Sequence, residues 1–221
     1  FHVAIEALVR EDYELAAREF DRVVDVLPGG PLAPEARLNA GIAYLSLGRL
    51  DEGEARLLDA RQRGGQTQTG KIALVRLARL YAHGEAWDKL ETVARAQLAR
   101  ADQSILERIE AMGSLGLALS GQGRDEEAFS VIVSARNEIE DRRLGEAGVP
   151  PIELAQVAYV LGELRKKKSE SLVFVPFPPN FGERLEERCQ ALLDAQSAYT
   201  DAMRSLDAHW SAMAGSRVGP L

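Results

Sequence analysis

The sequence predicts an all-α protein: a solenoid of about four helix pairs, then an extended apolar linker and a long C-terminal helix. Three observations carry that expectation. Within the segments, apolar residues recur at helical spacing, and the clusters PGGPLAP, RGGQTQTG and RADQS punctuate them as turns. GIAYLSLGRLDEGEARLLDA (41–60) and GLALSGQGRDEEAFSVIVSA (116–135) align at a constant offset of 75, Gly41 on Gly116, Gly48 on Gly123, Gly53 on Ala128 and Ala60 on Ala135. Half of that offset also recurs, since Ala16, Gly53, Leu90 and Ala128 follow one another in steps of 37, 37 and 38. An amphipathic pair of helices cannot bury its apolar stripes alone, whereas stacked pairs bury a continuous core.

Composition sets the outer bounds. The chain has 221 residues, 46% of them hydrophobic and 28% charged, enough for a packed core and too polar for a membrane protein. With 27 basic against 34 acidic residues it carries a net charge of -7, which argues against general nucleic-acid binding. No apolar run approaches the roughly 20 residues of a membrane helix. One cysteine and three scattered histidines (His2, His83, His209) leave little for disulfide or metal chemistry, and no metal site or cofactor is expected. FHVAIEALVR reads as a helix already under way, without the features of a signal peptide. The chain is expected to be a piece of a longer protein, with any targeting signal outside it.

The elements follow in order. The first unit, about 1–28, keeps Tyr13, Ala16, Phe20 and a closing Pro28. The second, about 34–65, pairs helices near 34–47 and 50–63, with Gly48 between them. The third, about 71–101, has Leu77, Ala78 and Tyr81 in place, but Leu90, Ala94 and Gln97 fit poorly. The fourth, about 109–142, repeats the second through Gly116, Gly123, Ala128, Ile132 and Ala135. A larger apolar residue sits four places after each small one: Phe20, Leu57, Ala94, Ile132. Tyr44, Tyr81 and Leu119 share the same spacing in the preceding helices. Small-x-x-Tyr, a glycine turn and then small-x3-large-x2-Ala resembles the tetratricopeptide repeat over about residues 1–140. The period here is three or four residues longer than the family's roughly 34, an excess placed in the inter-repeat turns. The resemblance implies a binding scaffold with the first helices of each pair lining a concave face.

Beyond residue 150 the pattern changes. IELAQVAYVLGELRKKK forms one more repeat-like helix, and SESLVFVPFPPNF (169–181) is expected to be extended, its three prolines excluding a central strand. A helix over 181–214 follows, roughly 50 Å long at 1.5 Å per residue. Leu185, Cys189, Leu192, Gln196, Tyr199, Met203, Leu206, Trp210 and Met213 alternate in steps of four and three along it, a heptad seam. On that seam Cys189 is a buried small hydrophobe rather than a nucleophile, and Gln196 is the polar position that sets register or partner number. Packing on the solenoid makes the protein a monomer, packing on a second copy makes the helix a dimerisation arm, and packing on a partner makes it a partner-binding element. The closing segment also resembles the end of long periplasmic tetratricopeptide proteins of gliding deltaproteobacteria. That resemblance implies a structural part in a cell-envelope motility or secretion machine, with a periplasmic location and a cytoplasmic one as the alternative.

No catalytic constellation is present. His209 beside Trp210 reads as packing, and the glycines of GLALSGQGRDE follow a helix rather than a strand, which fits a turn and not a phosphate loop. Arg165-Lys166-Lys167-Lys168 reads as a solvated helix end or, alternatively, a patch for anionic lipid or nucleic acid. By the resemblance, the groove is lined by Asn39, Ile42, Ser46, Arg76, Arg79, His83, Ser114, Leu117, Gln156 and Tyr159. Asn39 and then Arg76 one unit later resemble part of the carboxylate clamp of chaperone-binding arrays, although Phe1 and Ile5 stand where that clamp needs Lys and Asn. The expected partner is a protein or peptide segment with acidic character, unless the groove is buried by its own chain. The sequence thus points to a non-enzymatic interaction scaffold in a multiprotein assembly; the alternative is a regulatory piece of an enzyme whose active domain lies elsewhere.

Overall fold

A computed structural model describes residues 1–146 and 148–219. Pro220 and Leu221, the end of the expected C-terminal extension, lie outside the described residues. Among the described residues the secondary structure is helical throughout, with no strand. The chain divides into two compact units, Phe1–Gly84 and Glu85–Leu221. The division falls inside the third predicted pair.

The first unit holds α1 (His2–Val9), α2 (Tyr13–Val26), α3 (Ala33–Ser46), α4 (Leu50–Gly64) and α5 (Gln68–His83). Each helix packs on the next, and α3 also touches α5 directly. The sequence dictates the closeness of α3 and α4. A Cβ on Gly41 would lie 2.9 Å from the Leu57 side chain, and one on Gly53 would lie 2.5 Å from Leu45 Cδ2. Pairing Gly41 with Leu57 and Leu45 with Gly53 also makes the two helices antiparallel. Phe20 and Leu57 are fully buried, and burial of each stabilises the unit by roughly 1.5–3 kcal/mol.

Polar ties join successive helices. Tyr44 of α3 donates its hydroxyl to Asp21 of α2 (2.7 Å), and Arg56 of α4 binds the same carboxylate with two hydrogen bonds of 2.7 and 3.0 Å. Tyr81 of α5 donates to Glu54 of α4 (2.8 Å). Arg37 is only 2% exposed; its Nε donates to Asp59 (2.6 Å) and its Nη2 to the Pro28 carbonyl (2.8 Å). A buried cation needs that pairing, because an unpaired one would cost several kcal/mol.

The second unit holds α6 (Trp87–Leu98), α7 (Ile105–Gly121), α8 (Asp125–Asp141), a 3-10 turn (Ile152–Leu154), α9 (Ala155–Ser171), α10 (Phe181–Arg204) and α11 (Ala208–Val218). A full capping box starts α7: Ser104 accepts from the Glu107 amide and Glu107 from the Ser104 amide. Gly116 repeats the role of Gly41, since a Cβ there would lie 2.5 Å from Ile132 Cδ1. One core runs through α7, α8, α9, α10 and α11.

One turn recurs at the repeat spacing. Glu11, Gly48, Glu85 and Gly123 all have left-handed φ values, of 60°, 74°, 52° and 77°. After Glu11, Gly48 and Gly123 the next amide bonds back to a carbonyl five residues earlier: Asp12 to Ala7, Arg49 to Tyr44 and Arg124 to Leu119, at 2.9–3.0 Å. This closes each first helix and fixes where the second begins.

The tail corrects the sequence reading. Helix α9 runs on to Ser171, so the non-helical stretch is 172–180, shorter than the expected 169–181. The expected single helix over 181–214 is two helices, because the chain turns at Ser205–Asp207, where Leu206 is left-handed (φ 55°) and 69% exposed. Asp207 accepts from the Trp210 amide at 2.9 Å and caps α11. The buried stripe of α10 is Ala191, Ala195, Ala198, Tyr199 and Ala202, one position off the heptad seam. Leu185, Cys189, Gln196 and Leu206 are exposed, so Cys189 is not a buried hydrophobe and Gln196 sets no buried register. Leu192, Met203, Trp210 and Met213 are half-buried, and of the seam only Tyr199 is fully buried. Small residues win here because α10 lies close along α9, antiparallel to it: a Cβ on Gly162 would lie 2.6 Å from the Tyr199 ring.

Candidate functional site

In the first unit, α3 and α5 follow one register 37 residues apart: Ala36 and Ala73, Arg37 and Leu74, Ala40 and Leu77, and Gly41 and Ala78 are all buried. Asn39, Ile42 and Ser46 therefore occupy the same face of α3 as Arg76, Arg79 and His83 occupy on α5. Asn39 and Ile42 are half-buried; Ser46, Arg76, Arg79 and His83 are exposed. Arg76 makes no hydrogen bond or ion pair among the described residues. Burial of its stem, and then the charge of Arg79, hold its guanidinium below the ordinary value. This face can offer cationic fork donors and an amide to a carboxylate.

In the second unit the predicted lining is not a free groove. Ser114, Gln156 and Tyr159 are buried and Leu117 is half-buried. Ser114 donates to Gln156 Oε1 (3.0 Å), a tie between α7 and α9. Beyond it, α11 lies on α9. The Trp210 ring stands 5.3 Å from that of Tyr159, and Arg217 Nε donates to Glu163 at 3.1 Å. Tyr199 donates to the same Glu163 (2.6 Å), and burial and then that hydrogen bond raise the Tyr199 hydroxyl well above its ordinary value. Here the face is covered by the chain itself.

Three of the four residues of the basic run tie α9 to other helices, although Lys168 stays exposed. Arg165 donates to the Asp194 carbonyl (3.0 Å), and Lys168 pairs with Glu187 (3.0 Å). Lys167 donates to the carbonyl and hydroxyl of Ser120 and to Asp125 (2.8–2.9 Å), placing a cation on the C-terminus of α7. His209 packs edge-on against Trp210.

Sequence reasoning missed two features. A cavity of about 490 Å³ opens between α8, the segment of Leu144, Gly145, Glu146, Gly148 and Pro150, α9 and α10, and Leu144, Leu154, Val157 and Leu161 are among its apolar lining. Four separate elements build it, so no local pattern announces it. Its rim cations are engaged, Arg136 with Glu140 (2.7 Å) and Arg165 with the Asp194 carbonyl. The second feature is an ordered aromatic cluster before α10. Phe177 stacks on Phe181 (4.6 Å), Phe174 meets Phe181 edge-on (5.3 Å) and Arg188 lies over Phe174 (5.3 Å). Phe177 within it is 73% exposed, and Val175 beside it 84%.

No helix among the described residues is long and apolar enough to cross a membrane. No protein-family model matches the chain, and no curated protein matches its sequence.

Proposed function

We propose that this chain is a non-enzymatic scaffold of the tetratricopeptide type that holds an acidic segment of a partner protein within a larger assembly. The left-handed turns at 37- and 38-residue steps, the glycine-to-large contacts Gly41–Leu57 and Gly116–Ile132, and the direct contacts of α3 with α5 and α7 with α9 support the solenoid reading. The observation that carries the binding role is the exposed strip of Arg76, Arg79 and His83 on α5, with Asn39 at the matching position of α3. In a chain of net charge -7, a guanidinium without a carboxylate partner favours an acidic ligand from outside.

The test uses a fluorescent hexapeptide rich in Asp and Glu with a free C-terminal carboxylate, titrated by anisotropy. The unmodified chain binds it with marked salt dependence, and the Arg76→Glu/Arg79→Glu chain loses the binding while keeping its circular dichroism. Undiminished binding by the double variant refutes the assignment.

A further inference from the structure

Helix α11 meets the rest of the second unit through residues at i, i+3, i+4 and i+7. Trp210 lies against the Tyr159 ring, Met213 packs on the core, Ala214 is fully buried and Arg217 reaches Glu163. Those are the anchor positions by which an amphipathic helix is read in a groove. The attachment is slender, since Ala214 is the one fully buried residue of α11. The tether is a left-handed turn at the exposed Leu206, where Ser211 Oγ donates to the Met203 carbonyl (3.3 Å).

We propose that the α9 face beneath α11 is a helix-binding site. The chain's own C-terminal helix occupies it, and it accepts instead a partner's amphipathic helix bearing an aromatic residue, a small residue and a cation at i, i+4 and i+7. The chemistry of the face sets that pattern. Tyr159 supplies a ring for the aromatic residue, the full burial of Ala214 suits a small side chain there, and Glu163 supplies the carboxylate for the cation. The resident helix acts as a tethered competitor, so occupancy by a partner requires an affinity that beats an effective concentration of about 1 mM. All of these residues lie in the second unit. The proposal therefore stands or falls apart from the acidic-segment reading of α5.

The experiment uses the full chain and a fluorescent synthetic peptide of residues 205–219 as the probe. The chain carrying Trp210→Ala/Arg217→Glu loses the two outer anchors of its own helix. It is expected to bind the peptide at least about tenfold more tightly than the unmodified chain does, because the tethered competitor is weakened. A peptide carrying the same two substitutions is expected not to bind. Equal binding by both chains, or binding by neither while α9 and α10 remain protected from hydrogen exchange, overturns the proposal. Hydrogen exchange on the unmodified chain gives a second arm, and it decides the matter if the double variant loses its fold. Amides of 208–218 are expected to exchange at least about tenfold faster than those at the centres of α9 and α10. Equal protection would make α11 a fixed part of the core and sink the idea.

Discussion

Replacing Gly116 with Ala tests the helix crossing that organises the second unit. Alanine favours a helix over glycine by about 1 kcal/mol, so an uncrowded site would gain stability. Here the new Cβ would lie 2.5 Å from Ile132 Cδ1 and 2.6 Å from Cγ1, and Ile132 is fully buried, so it must shift within the core to make way. Overpacking of that kind costs about 1–3 kcal/mol, which leaves a net loss of about 1 kcal/mol. Ile132→Val removes the nearest atom and costs about 1 kcal/mol alone. Combined, the two changes should lose less than their sum by at least about 0.5 kcal/mol, because Val lacks Cδ1, one of the two atoms that Ala strikes, although it keeps Cγ1. Urea unfolding followed by circular dichroism and tryptophan fluorescence measures each step of the cycle, with about 0.5 M expected between the midpoints of the Gly116→Ala chain and the unmodified one. A stabilised Gly116→Ala chain, or costs that add within about 0.4 kcal/mol, would show that α7 and α8 do not cross where the structure puts them.

Two further outcomes follow from the same geometry. Glu11 and Glu85 hold the left-handed turn position that Gly48 and Gly123 fill elsewhere, so Glu11→Gly or Glu85→Gly should stabilise by about 0.5–1 kcal/mol in thermal unfolding, and a loss of stability would count against the shared turn. Asp59→Asn should cost about 2 kcal/mol at neutral pH, less than the roughly 3–5 kcal/mol of a fully buried pair because the carboxylate keeps a third of its side chain in water. Burial opposes the charge of Asp59, but hydrogen bonds from Arg63 and Arg37 outweigh it and hold its carboxyl below the ordinary value. The folded value thus lies below the unfolded one. The stability that Asp59 supplies is complete above about pH 4 and disappears as the pH falls through the folded value. The difference between the unmodified and Asp59→Asn chains should therefore shrink on acidification, and a constant difference down to pH 3 would contradict the assignment.

The repeat spacing was legible because its physical causes are local. A left-handed turn needs Gly or a tolerated substitute, and a close crossing needs a small residue facing a large one; both leave marks at fixed offsets. Ala16, Gly53 and Ala128 are buried where that logic places them. The tail was misread because residue size was weighed in the opposite sense. The seam of large residues from Leu185 to Met213 has the same four-three spacing as the alanines at 191, 195, 198 and 202 beside it. The residues that α10 buries are those alanines and Tyr199, whose ring sits on Gly162 of α9. The break at Ser205–Asp207 was hidden by the phase of the pattern, which continues across it, although Asp207 three residues before Trp210 is an ordinary N-cap signal.

The candidate site divides along the same line. Groove positions carried over by repeat register proved half-buried or exposed in the first unit, where the chain places charged and polar residues on all of them but Ile42: Asn39, Ser46, Arg76, Arg79, His83. In the second unit the matching positions hold Ser114, Leu117, Gln156 and Tyr159, a hydrogen-bonded pair and two residues with large apolar surface, which are the types a chain uses where something will cover them. Register alone could not separate an open face from a closed one. Side-chain chemistry at those positions could: guanidinium groups at exposed positions invite a charged ligand from solution, whereas a buried tyrosine beside a half-buried tryptophan marks a face that a helix already occupies.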